Sequence, residues 1–298
     1  VLKKHYKKIA TVLFVVAALI AVRIYQAPVK SGAVLNAFDF ATSTPAKLKL
    51  IFFDVGQGDA SLIITPHGED VLIDGGPNNT VVQKLGEYLP YTDRKIEYII
   101  LTHPHADHLD GLLETLNRYE VGEVIMTGVA YGTADYEKFR QEIERKNIQI
   151  KLIEWPQKIL IDGITLNMLT PENFLNNKTI ENLNNSSIVF RLEYVSTTAL
   201  FMGDYENEES FLTGTSTPLK SDILKTGHHG STNANDRKFL ASVAPKYAVI
   251  SVGAKNSYGL PDYRTIFYLK QLDSQVLRTD ESGDIGFASD GNNLGLVK

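Results

Sequence analysis

With 298 residues the chain has room for one large domain or two small ones. Apolar residues make up 43% and charged residues 22%, an ordinary globular balance, and the formal net charge of −5 is no general electrostatic footprint for nucleic acid. The absence of cysteine excludes disulfides, thiolate metal ligands and a cysteine nucleophile.

Val1–Lys8 (VLKKHYKK) holds four lysines and no acid, and Ile9–Val22 is an unbroken apolar or near-apolar run. Read through Arg23, whose head can reach water, to Tyr25, the run approaches the lower limit for a tilted spanning helix. Lysines ahead of it hold that end in the cytoplasm and put the rest outside. Residues 1–26 are therefore expected to be a single-pass membrane anchor with an extracytoplasmic domain behind it. A signal segment removed on secretion is the alternative. Residues 27–46 (APVKSGAVLNAFDFATSTPA) read as a linker, with Pro, Gly, Ser and Thr and no sustained period. Charge changes sign across this boundary. Residues 1–30 carry six Lys/Arg and no Asp/Glu, so the remainder carries 24 basic and 35 acidic side chains, a net charge of about −11.

From Lys47 to Lys298 a single domain without repeats is expected. Its strand-like runs are rich in Ile, Val, Leu and Phe and bounded by Gly, Asp, Asn or Pro. In chain order they are LKLIFF, ASLIIT, DVLI, IEYIIL, VGEVIM, IQIKLI, ITLNML, SIVFRLEY, TALFM, DILKT, KYAVISV, QVLRT and DIGFA. Helical spacing appears between them. DHLDGLLETLNRY puts Leu109, Leu112, Leu113 and Leu116 on one face. DYEKFRQEIERKN does so with Tyr136, Phe139 and Ile143, and DYRTIFYLKQL with Tyr263, Ile266, Phe267 and Leu269. Strand clusters interrupted by helices predict layered sheets covered by helices. ENFLNNKTIENLNNSS holds six asparagines between Asn173 and Asn185; it is either a solvated loop or one overhanging the site.

Three of the seven histidines fall in LTHPHADHLDG. His103 and His105 lie just beyond a strand, two apart, so in extended backbone their rings point the same way. Asp107 and His108 follow where the chain turns into a helix. Imidazole and carboxylate are common zinc ligands and also suit manganese or iron. LKTGHHGS puts His228 and His229 after another strand, so five of seven histidines occupy two strand-end loops. Asp204 ends TALFMGDYE behind a glycine that allows close backbone approach, where a carboxylate can bridge two cations. Asp74 in VLIDGGPN has the same setting and reads as a residue that orients a ligand. His5 and His67 read as a tail and a turn residue.

THPHADHLDG matches the H-x-H-x-D-H signature of the metallo-β-lactamase superfamily. FFDVGQGDASLI, LIDGG, NNSSIVFRL, FMGD, LKTGHHGS, ISVGAKNSYGLP and LRTDESGDI follow in the order of the C-terminal hydrolase domain of ComEC-type competence proteins. The chain resembles that group over nearly all of Lys49–Ala288. The resemblance implies an α/β fold, a four-layered αββα sandwich with a two-metal site, zinc or manganese, at one edge. It assigns His103 and His105 to a first metal, and Asp107, His108 and one of His228 and His229 to a second, with Asp204 bridging. The sequence leaves open which of the pair is the ligand; His229 is assigned to metal and His228, with Asp107, to catalysis. Asp59, Asp74, Asn184, Ser187, Lys225 and Ser231 complete the expected site as supporting or substrate-contacting groups. The chain departs from the pattern twice. ENLNNSS lacks the third histidine that the superfamily often supplies, with Asn184 and Ser187 in its place. Leu260 stands where relatives commonly have His.

The expectation is a free-standing, singly anchored metal-dependent hydrolase. It would be a phosphodiesterase or nuclease acting on DNA, single-stranded DNA included, beside a DNA-uptake channel protein. The acidic domain favours a rival reading, a small or cell-envelope phosphodiester as in phosphorylcholine esterases. A third is a non-catalytic partner of the channel.

Overall fold

Apolar runs separated by turn residues build two sheets in the computed structural model, which describes residues 47–214 and 217–297. The anchor at 1–26 and the linker at 27–46 lie outside the described residues. Among the described residues no helix is long and apolar enough to cross a membrane.

The first sheet contains β1 (Leu48–Phe52), β2 (Ser61–Ile64), β3 (Asp70–Ile73), β4 (Lys95–Ile100), β5 (Glu120–Met126), β6 (Gln149–Leu152), β14 (Ile285–Ser289) and β15 (Leu294–Val297). Their order is β15-β14-β1-β2-β3-β4-β5-β6. The second contains β7 (Gln157–Ile161), β8 (Ile164–Met168), β9 (Phe190–Tyr194), β10 (Thr197–Phe201), β11 (Ile223–Lys225), β12 (Tyr247–Ile250) and β13 (Gln275–Arg278), ordered β13-β12-β11-β10-β9-β8-β7. The helices are α1 (Thr80–Tyr88), α2 (Ala106–Arg118), α3 (Ala134–Arg145), α4 (Glu209–Gly214), α5 (Arg237–Val243), α6 (Tyr263–Gln271) and α7 (Thr279–Ser282).

Three apolar layers hold four layers of elements together. Phe52, Phe190, Phe201 and Phe287 meet between the sheets, with Phe190 and Phe201 stacked at 4.8 Å. Val81, Leu85, Leu112, Leu116 and Phe139 close α1–α3 onto the first sheet, and Phe239, Leu240 and Leu269 close α5 and α6 onto the second. Period-two alternation feeds adjacent layers from one strand: Phe201 faces the other sheet while Leu200 faces the helices. Strands covered on both faces need apolar residues throughout, which is why their sequences read as continuous runs.

Two strands escaped the sequence pattern. β7 and β15 are edge strands, and with Leu160 exposed in the one and Leu296 in the other they lack a continuous apolar run. The expected apolar face of α6 is also corrected. The helix buries Thr265 and Leu269, whereas Tyr263 and Phe267 are 76% and 53% exposed. Both pairs sit four apart, so spacing alone describes either stripe, and packing selects the one against the second sheet.

β3–β6 run parallel, as do β10–β13. The loops after β3, β4, β10 and β11 therefore leave carboxyl ends of parallel strands, the place where open α/β sheets gather their ligands.

Candidate metal centre

Asp74 follows β3 and accepts from Thr102 backbone N–H (2.8 Å) and Thr102 Oγ1 (2.7 Å). This ties the loop after β3 to the loop after β4. Its Oδ2 also takes His108 Nδ1 at 2.8 Å. With Nδ1–H donated there, His108 turns Nε2 to Asp204 Oδ2, 3.3 Å away. Thr102 Oγ1 gives its proton to Asp74 and so accepts from His103 Nδ1 at 3.2 Å. His103 Nε2 then faces His105 Nδ1 at 3.0 Å and Asp204 Oδ2 at 3.9 Å.

α2 begins immediately beyond His105, so Asp107 and His108 lie in its first turn. Its entry is packed without clearance. A Cβ on Gly111 would lie 1.9 Å from Gly75 O, and Gly75 N–H donates to His108 O. Only glycine at position 111 lets the β3 loop meet the helix at this depth.

His228 and His229 occupy a tight turn after β11, both in left-handed backbone with φ of 43° and 51°. Such conformations are held by their surroundings. His228 N–H donates to Gly203 O, and Asn235 clasps the turn, its Nδ2 donating to Gly227 O and Ser231 O, both at 2.7 Å. The turn gives the two rings different Nδ1 partners, while both Nε2 atoms come within 3.9 Å of Asp204 Oδ2. His229 is buried, gives Nδ1–H to Ser251 O (3.0 Å), and points Nε2 at Asp107 Oδ2 (3.1 Å) and Asp204 Oδ2 (3.7 Å). His228 is partly open to solvent and is held through Nδ1 by Glu206 Oε1 at 2.7 Å.

Asp107, His108, Asp204 and His229 present ligand atoms all within 4.8 Å of one another. His103 reaches the same Asp204, and His105 flanks it against His103 Nε2. His108 Nε2, Asp204 Oδ1 and Asn184 Oδ1 are buried without a hydrogen-bond partner. Unpaired buried donors and acceptors are costly, and a cation at this point would satisfy the ligand atoms together. This donor set therefore fits divalent metal, with Asp204 reached from both groups. Electrostatics agree. Burial would raise the Asp107 and Asp204 carboxyls, yet the histidines around them hold both below the usual carboxylate range. Burial would lower His108 and His229, but surrounding carboxylates push His108 up strongly and His229 to about 10. The carboxylates of the cluster thus favour positive charge at its centre. Burial holds His103 and His105 below the ordinary imidazole value, which favours the neutral ring that can ligate a metal.

Asp59, Asp74 and His108 form a second close group, but it faces His108 Nδ1 rather than Nε2. Lys225 already neutralises it: Nζ lies 2.7 Å from Asp59 Oδ2 and donates to Thr226 O. Lys225 is 2% exposed and does not reach the cleft, so it braces Asp59 instead of meeting substrate. Ser187 Oγ likewise turns inward and accepts from Asp204 N–H at 3.1 Å. Ser231 serves the turn, its Oγ accepting from Asn233 N–H. Asn184 does line the cleft.

The cleft has a volume of about 470 Å³, and Gln57, Pro77, Tyr258 and Leu260 form its outer wall. The asparagine-rich loop reaches it at one end only. Asn182 Nδ2 donates to Glu206 Oε2, and Asn185 Oδ1 accepts from Glu206 N–H. Glu206 and Asn235 were not expected from sequence. GDYE and STNAN carry no ligand spacing, and their roles arise from contacts across the fold.

The fold and site define a metallo-hydrolase scaffold whose His/Asp cluster fits divalent metal. The chain belongs to the metallo-β-lactamase superfamily, whose family model matches residues 53–254, more than half its length. ComE operon protein 3 of Bacillus subtilis (strain 168) is 28% identical over 252 residues, covering 78% of this chain and 32% of that protein. Competence protein ComA of Neisseria gonorrhoeae is 28% identical over 288 residues, covering 93% of this chain and 38% of that protein. The chain thus spans about a third of the length of these relatives, whose names agree with the ComEC-like motif series. Among solved structures, the metallo-β-lactamase fold protein YhfI from Bacillus subtilis superposes with a TM-score of 0.54 at 12% identity, covering 81% of this chain and all of that one. That likeness speaks for the fold alone.

Proposed function

We propose that the protein is a metal-dependent phosphodiesterase acting on DNA in a competence-linked role. The observation that carries this reading is the convergence of His103, His105, Asp107, His108, Asp204 and His229 at the base of one cleft, with Asp204 Oδ1 and Asn184 Oδ1 left without hydrogen-bond partners. Zinc or manganese ions held by these residues would supply Lewis acidity and a water of lowered pKa. Asp107, on the cleft floor, orients the attacking water and accepts its proton. His228 lines the cleft with Nδ1 fixed by Glu206 and Nε2 3.9 Å from Asp204 Oδ2, where it can meet the leaving oxygen. The competence names of the relatives favour DNA as the substrate.

One observation favours a smaller phosphodiester: residues beyond 30 carry 24 basic against 35 acidic side chains. The deciding experiment loads the full chain with manganese or zinc. It then assays single-stranded DNA, double-stranded DNA, small phosphodiesters and a β-lactam. Cleavage of single-stranded DNA, lost in Asp107→Asn, supports the reading. Turnover of small phosphodiesters alone moves the assignment to the rival. No turnover of any substrate leaves the non-catalytic partner of an uptake channel.

The proposal includes a membrane anchor in residues 1–26 with the domain outside. The full chain should fractionate with membranes and be open to protease added to intact cells. Soluble cytoplasmic protein would overturn it, and a mature chain starting near Val34 would show cleavage.

A further inference from the structure

We propose that Tyr258 is the stacking face for an unpaired nucleobase beside the phosphodiester in the cleft. This rests on the phosphodiesterase reading and narrows it to single-stranded nucleic acid.

Tyr258 is 73% exposed, yet it lines the same cleft as Asp107, Asp204, His228 and His229. A large aromatic left open at a site is placed for a ligand. The loop that carries it is held from within. Asn256 Nδ2 donates to Gly253 O (3.0 Å) and Leu260 O (2.7 Å), while its Oδ1 accepts from Tyr258 N–H and Leu260 N–H, both at 3.1 Å. The loop base is closed as well: Gly253 N–H donates to Gln57 Oε1, and a Cβ on Gly253 would lie 2.6 Å from Gln57 N. The ring thus stands on an ordered segment, and binding against it orders little further chain.

Charge narrows the ligand. Among the described residues no lysine or arginine lines the cleft. Contacts to a run of phosphates, the usual source of nucleic-acid affinity, are missing there. Base–aromatic stacking adds affinity of its own and tolerates any base. A duplex keeps its base faces covered, so an unpaired strand or a strand end fits. Leu260 adds an apolar group to the cleft wall at the position where the motif resemblance puts histidine. A quaternary ammonium is the competing ligand for an aromatic, but its recognition uses a cage of several rings, and Tyr258 is the single Phe, Tyr or Trp ring lining this cleft among the described residues.

The test compares metal-loaded wild type, Tyr258→Ala and Tyr258→Phe on a short single-stranded oligodeoxynucleotide and on glycerophosphocholine. Tyr258→Ala should raise KM for the oligonucleotide by about 5- to 100-fold and leave kcat within about twofold. Tyr258→Phe should recover wild-type KM, and quenching of a 2-aminopurine base in the oligonucleotide should follow the ring. All three proteins should share one thermal midpoint. Cleavage with unchanged KM in Tyr258→Ala overturns the stacking role and leaves the phosphodiesterase reading intact. A Tyr258→Phe defect equal to that of alanine also overturns it, because the hydroxyl would then be the contact. Loss confined to glycerophosphocholine turnover assigns the ring to a choline group instead. If wild type turns over no oligonucleotide, the DNA reading and the stacking role fall together.

Discussion

Lys225 Nζ lies 2.7 Å from Asp59 Oδ2, and the other oxygen of Asp59 lies 3.3 Å from His229 Nδ1. Both partners of the ion pair are buried. The lysine therefore stabilises a candidate metal-binding histidine from behind, through a carboxylate that its charge, with that of His229, keeps ionised against the cost of burial.

Removing that lysine should strand the Asp59 charge. Lys225→Met is expected to lower unfolding stability by about 3–5 kcal/mol, because one partner of a buried pair is left uncompensated. Lys225→Met with Asp59→Asn should recover much of the loss. Denaturant unfolding of the two variants measures both terms. An unchanged midpoint with a raised KM would return Lys225 to the substrate.

On the proposed two-metal reading, the two positions should differ in affinity. Asp107, His108, Asp204 and His229 surround one, whereas the other has His103, His105 and a shared Asp204, with Asn184 as the nearby neutral oxygen. Fewer charged or imidazole ligands bind more weakly. Titration of the metal-free protein should resolve one tight and one weaker event, and His103→Ala should abolish the weaker. Two equally tight events, or loss of the tight one alone in that variant, would show the ligands to be wrongly divided.

Metal should displace protons. Carboxylates push His108 up strongly and His229 to about 10, so both rings hold their second proton more tightly than a free imidazole does in the metal-free protein. Their Nε2 atoms must lose those protons to coordinate. Affinity should therefore rise with pH through neutrality and beyond, and calorimetry in buffers of different ionisation enthalpy should detect proton release. Heats that do not depend on the buffer would contradict this.

Glu208 provides a pH-dependent effect of a different kind. It is buried, accepts from Asp236 N–H at 3.1 Å, and burial raises its pKa from 4.5 to about 7. Below pH 4.5 folded and unfolded chains both hold the proton, and the group contributes nothing. Between 4.5 and about 7 the unfolded chain releases it first, so stability falls as pH rises; above that range the penalty is constant. Glu208→Gln should match wild type near pH 4, gain on it up to about pH 7, and keep a fixed advantage beyond. Thermal midpoints across this range test it; a gap that narrows with rising pH would show the sign to be wrong.

His103, His105, Asp107 and His108 were legible as a candidate site in the bare sequence because strand and helix periodicity alone bring them together: two extended positions and the first turn of α2 span the whole group. Most strands were legible too, since burial on both faces demands unbroken apolar runs. The choice between His228 and His229 was not. Neighbours in sequence, they part only because two left-handed residues, clasped by Asn235, aim one ring at Asp107 and the other at Glu206. Asp107 and His229 stand 122 positions apart, and the packing of the two sheets against each other brings them within 3.1 Å. The same holds for Lys225, which strand alternation directs either to a cleft or to a buried carboxylate, and for Tyr258, exposed only because its loop folds around Asn256. Local spacing encodes what one strand end or helical turn can gather; the direction of a side chain relative to residues a hundred positions away depends on sheet register and layer packing, which no short stretch contains.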